Sequence, residues 1–124
     1  MGETEGVISV ELPIKKEFAR LLRLMVSGVA ARMNFDLDAV DDLKIAVEEA
    51  YIIAMRNKVS SPLKAVFDMQ TERLVINFSG STESALSKDD QKENFGNFIL
   101  DAVVDEMQID QDGKDLTISM VKYI

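Results

Sequence analysis

The chain has no cysteine and no histidine among its 124 residues. Those two absences exclude disulfides, thiolate nucleophiles, zinc–thiolate sites and imidazole acid–base chemistry. No apolar run approaches the roughly 20 residues that a membrane-spanning helix needs. Nor is there a basic cluster. The 14 basic residues are scattered among 22 acidic ones, for a net charge of −8. A phosphate-binding surface needs concentrated positive charge, so direct nucleic-acid binding is not expected, and the acidity reads as a solubility feature. The first residues, MGETEG, are polar and acidic and lack the apolar segment of a secretory leader. A cytoplasmic location is expected, and the absence of cysteine is compatible with a reducing compartment. Hydrophobic residues make up 47% of the chain. That is enough for one core, so residues 1–124 are expected to form one domain.

What is present alternates between two periods. Val7 to Leu12 (VISVEL) alternates, is rich in β-branched residues and stops at Pro13, which predicts a strand. From Lys15 to Met33 the period changes. Phe18, Leu21, Leu22, Met25, Val26, Val29 and Met33 recur at helical spacing, and the stripe reads as core packing. Asn34 falls at the C-terminal turn of that helix. Asp36 or Asp38 caps a second helix that runs to about Lys58. Leu63 to Gln70 and Arg73 to Phe78 then alternate as two strands around a short turn, with Ala65, Phe67, Met69, Leu74, Ile76 and Phe78 facing the helices. Ser79 to Asn94 is polar and without period, and reads as a loop. Phe95 to Val104 predicts a short helix with Phe98, Ile99, Ala102 and Val103 apolar. Asp105 to Ile109 predicts a strand, Gln111-Asp112-Gly113 a turn, and Leu116 to Ile124 the last strand. The order β-α-α-β-β-α-β-β predicts an α+β two-layer sandwich, with a mixed, mostly antiparallel sheet and helices on one face.

The stretch Asp41 to Asn57 (DDLKIAVEEAYIIAMRN) organises the rest. Leu43, Ala46, Val47, Ala50 and Ala54 form one apolar stripe. Glu49, Ile53 and Asn57, each one turn from the next, form a second. Chemistry is expected on that second stripe.

The run LLRLMVSGVAARMNFDLDAVDDLKIAVEEA, together with the closing DLTISMVKYI, resembles the anti-sigma-factor serine kinases of the RsbW type. These belong to the histidine-kinase-like ATPases with the Bergerat fold, and the resemblance runs from about Val7 to Ile124. It implies a general base on the central helix, and Glu49 stands at that position. It implies a magnesium-binding Asn one turn later, and that position holds Ile53. A hard cation needs oxygen ligands, which isoleucine lacks. Asn57 lies a further turn, about 5.4 Å, along. The resemblance implies an adenine-reading Asp followed by glycines; the matching Asn77-Phe78-Ser79-Gly80-Ser81-Thr82 has no Asp and keeps Gly80. It implies a glycine-rich phosphate turn. Here the turn is Glu93-Asn94-Phe95-Gly96, in which only Gly96 survives and Glu93 would repel phosphate.

The expected function is therefore a protein-binding regulator of the anti-sigma type with a degenerate ATP site and no cofactor, Gly80 and Gly96 being vestiges of the nucleotide site beside Ile53. The resemblance implies a sigma factor and a STAS-type anti-anti-sigma protein as partners, Arg20 as a contact residue, and a homodimer. Two alternatives stand beside it. One is an active ATP- and magnesium-dependent serine kinase using Glu49. The other is a small-molecule sensor whose former nucleotide pocket is lined by Ile53 and Phe78. No metal site of the protein's own is expected.

Overall fold

A computed structural model of the chain describes residues 6–60, 62–82 and 95–124. Its elements, in order, are strand β1 (Gly6–Leu12), helices α1 (Phe18–Arg32) and α2 (Leu37–Arg56), strands β2 (Leu63–Met69) and β3 (Arg73–Ser81), helix α3 (Phe95–Val103), and strands β4 (Glu106–Asp112) and β5 (Asp115–Tyr123). The strands form one five-stranded sheet in the order β1-β2-β3-β5-β4. All four pairings are antiparallel, so among the described residues the sheet is not mixed. No helix among the described residues is long and apolar enough to cross a membrane.

The register follows the two-residue side-chain period. Ala65, Phe67 and Met69 on β2, Leu74, Ile76 and Phe78 on β3, and Leu116, Ile118 and Met120 on β5 are all buried. They form one face, closed by Leu22, Val26 and Val29 of α1, the apolar stripe of α2 and Leu100 of α3. Glu106, Gln108, Asp110 and Asp112 mark the opposite, solvated register of the edge strand β4. Four expected apolar positions are displaced. Leu21 of α1 and Phe98, Ile99 and Ala102 of α3 are exposed, and Leu100 is buried instead.

Element ends differ from the sequence reading where non-local pairing takes over. Strand β3 continues through Ser79, Gly80 and Ser81, which the sequence pattern alone assigns to the start of a loop. Strand β5 supplies their partners Thr117, Leu116 and Asp115. A polar Ser-Gly-Ser segment has little strand propensity, but a neighbouring ladder satisfies its backbone. The β4–β5 hairpin closes through Gly113 and Lys114, with Gly113 at φ +60°, as its position in the turn requires. Helix α1 begins later than Lys15, after a turn. The rest of the expected loop, residues 83–94, lies outside the described residues.

Helices α1 and α2 end in the same way. Asn34 (φ 64°) and Lys58 (φ 57°) are left-handed, and the residue after each donates its N–H five residues back, Phe35 to Ala30 and Val59 to Ala54. This is the Schellman arrangement, with a buried apolar residue just past the end. At α2 it has a particular effect. The turn swings Val59 against β3, where a Cβ on Gly80 would lie 2.3 Å from Val59 Cγ1. A bridge between Val59 and Thr82 and the bond from Ser60 N–H to Ser81 O, 2.7 Å, fasten the contact. A methyl group at Gly80 has no room. Gly80→Ala is expected to cost about 1–3 kcal/mol of stability through overpacking, read as a lowered urea midpoint with an unchanged slope.

Candidate functional site

The candidate site is the second stripe of α2 and what surrounds it. Asp36, rather than Asp38, caps the helix by accepting from Ala39 N–H at 2.8 Å. From there the helical period fixes the direction of each side chain. Glu49 is half-buried. Ile53, one turn on, is 1% exposed and belongs to the core. Asn57 does not replace the missing carboxamide. Its side-chain amide donates back to Ile53 O at 2.8 Å, and its backbone N–H reaches the same oxygen at 3.0 Å. It closes the helix end instead of facing a ligand.

The other expected nucleotide contacts are built in the same way. Phe78 is buried at 1% exposure. Asn77 lies in the opposite register, paired with Ser119. Gly80 meets Val59 where the resemblance implies adenine. Gly96 is the second residue of α3, while Glu93 and Asn94 lie outside the described residues. No group of three or more acidic side chains among the described residues is placed to hold a metal ion. Ile53 offers a cation no oxygen, and the Asn57 amide nitrogen is turned to its own helix end.

Arg20 lies elsewhere, exposed in the first turn of α1. It borders two adjoining clefts between α1 and α2. One, of about 780 Å³, combines Arg20, Arg23 and Lys44 with Leu24, Ile45 and Glu48. The other, of about 580 Å³, runs from Arg20 over Glu48 to Tyr51 and Ile52. Arg23 and Glu48 bridge the groove at 3.5 Å. Leu24 and Ile45 are 66% and 42% exposed, so the groove offers apolar surface between its charges. The structure therefore does not bring Arg20 together with Ile53, Gly80 and Gly96 in one pocket.

Two polar groups escaped the sequence reading. Tyr51 is fully buried, and its hydroxyl lies 2.6 Å from Pro13 O and 2.7 Å from Lys15 O while accepting from Lys15 N–H at 2.8 Å. Burial pushes its pKa above the ordinary tyrosine value, against the hydrogen bond with the Lys15 backbone. The phenol is therefore neutral at physiological pH and keeps its proton to donate. The signal was a tyrosine inside an apolar helical stripe, which needs a partner for its oxygen. Thr82 is 4% exposed; its N–H donates to Lys114 O at 2.6 Å, which ties the end of β3 to the β4–β5 turn.

A carboxamide at position 53 would be left in the core without a metal to bind. Ile53→Asn is expected to cost about 3 kcal/mol, from lost apolar burial and an unpartnered amide. Chemical denaturation reads this directly.

No family model matches the chain. Among characterised proteins it is 30% identical over 145 aligned positions to the serine-protein kinase RsbW of Staphylococcus epidermidis, covering all of this chain and 91% of that one. It is 26% identical over 144 positions to the serine-protein kinase RsbW of Bacillus velezensis, covering all of this chain and 89% of that one. These alignments are longer than the 124-residue chain, so the relatives carry residues that it lacks. Among solved structures, that of the RsbU and RsbW domains of a Mycobacterium tuberculosis protein superposes with a TM-score of 0.76 at 13% identity. It covers 95% of this chain, which spans 32% of that one, and shows the shared fold.

Proposed function

The chain belongs to the RsbW family of serine-protein kinases, and from that premise we propose that it acts by binding proteins, with an ATP site that no longer works in the family's way. The observation that carries this reading is Ile53, an apolar, buried side chain at the position where the resemblance implies a magnesium ligand. Asn57 engaged at the helix end, Gly80 packed under Val59 and an Asn77–Thr82 segment without an Asp support it.

The partners proposed are those implied by the resemblance, a sigma factor and a STAS-type anti-anti-sigma protein, met in the cytoplasm by a homodimer. Arg20 on the α1–α2 groove is the proposed contact. An exposed ion pair alone contributes about 0–1 kcal/mol. Leu24 and Ile45 matter because a partner that covers them excludes water from the neighbouring charges. Direct binding of nucleic acid is not part of this reading.

The retained Glu49 supports a second reading, an active serine kinase in which that carboxylate takes the proton of a substrate hydroxyl. The third, a sensor for an apolar molecule, has little support, because Ile53 and Phe78 are both packed into the core.

Melting in the presence of millimolar ATP and magnesium separates the first two readings. A ligand that binds only the folded state must raise Tm. No rise is expected, and a rise of several degrees would establish nucleotide binding and overturn the proposal. Capture from a native extract tests the partner surface. The wild type is expected to recover a sigma factor or a STAS-domain protein, and Arg20→Ala to recover about tenfold less, as loss of a central interface arginine does.

A further inference from the structure

Helix α1 starts without the usual means. Its N-cap residue Glu17 makes no side-chain cap bond, and its first turn contains no acidic residue. Its first N–H, from Phe18, goes to Lys15 O at 3.0 Å, and that of Ala19 goes to Lys16 O at 3.2 Å. The start of the helix therefore depends on where the Lys15 peptide is held. Within its own segment the Lys15 N–H reaches back to Pro13 O at 3.2 Å. The Tyr51 hydroxyl ties the same peptide to α2, accepting from Lys15 N–H and sharing its proton between Lys15 O and Pro13 O. Tyr51 comes from the middle of α2, between Glu49 and Ile53. It also lies along the cleft bordered by Arg20.

We propose that Tyr51 is a positioning residue for Arg20: a buried hydroxyl on α2 caps α1 from outside and so sets where its first turn stands over the groove. The proposal rests on the reading of Arg20 as a partner contact. Its physical basis is that removing the oxygen leaves these groups with the local bonds from Lys15 N–H to Pro13 O, 3.2 Å, and from Phe18 N–H to Lys15 O, 3.0 Å, neither of which reaches α2. One oxygen serves three backbone groups here, and none of them has a side chain of α1 as a substitute. The arrangement also links two places that are otherwise separate. A displacement of α2 around Glu49 and Ile53 would move the peptide from which α1 begins.

The test is Tyr51→Phe in the full chain, which removes the oxygen and keeps the ring. Amide hydrogen exchange at Lys15 and Phe18 is expected to accelerate by about tenfold or more relative to amides of β3 and β5. Val47→Ala, which trims the core on the same helix, is expected to raise exchange across the chain without singling out Lys15. A Tyr51→Phe protein in which Lys15 and Phe18 keep their protection relative to β3 overturns the proposal. Partner capture provides the second measurement, in which Tyr51→Phe should weaken recovery in the same direction as Arg20→Ala. If Arg20→Ala weakens capture and Tyr51→Phe does not, the positioning role is wrong. If Arg20→Ala itself leaves capture intact, the partner reading falls, and the exchange measurement still decides whether Tyr51 holds the start of α1.

Discussion

Helix α2 is packed against α1, α3 and strand β5 at once, and the rest of the structure is arranged to permit that. Ala46, Ala50 and Ala54 lie one turn apart and are fully buried. Small side chains in a row let neighbouring elements approach closely, while Leu43, Val47, Tyr51 and Ile53 fill the volume around them. A helix enclosed in this way has few directions left in which to present chemistry. Glu49 is half-buried, and Ile53, the next residue on that stripe, is drawn into the core. The position at which the resemblance implies a metal ligand is here a core position.

The end of α2 extends this constraint to the sheet. The left-handed Lys58 turns the chain so that Val59 meets Gly80, and Thr82 then joins β3 to the β4–β5 turn. Contacts of this kind make the region around Gly80 part of the scaffold. Glycine there is required by the close approach of Val59, whatever else that position does. The partner-facing groove, by contrast, lies on the outer side of α1 and α2 and is rimmed by residues with ample exposure. The chain is thus built tightly where the resemblance implies nucleotide and openly where it implies protein.

Much of the architecture was legible in the sequence because it is written locally. The strands announce themselves by alternation at Ala65, Phe67 and Met69 and at Leu116, Ile118 and Met120, and α2 by its alanine-rich stripe. What was not legible depends on residues far apart in the chain. The Ser79–Ser81 segment is a strand only because β5 lies beside it. Leu21 and Phe98 fit the apolar period of their helices but fall at the edges of what the sheet covers. Of the candidate site, the substitution at Ile53 could be read directly. The occupation of Asn57 by its own helix end, and the threefold use of the Tyr51 hydroxyl, required the tertiary contact to be seen.

The two borders of the sheet are unlike. Strand β4 lines one of them with Glu106, Asp110 and Asp112, so a neighbouring molecule that tried to add a strand there would meet a row of like charges. Strand β1 carries Glu11 alone on the other. Among the described residues, backbone-to-backbone growth between molecules thus has one usable margin, and two molecules joined across it consume both. Such association is self-limiting: it closes at a pair and cannot propagate into a fibre.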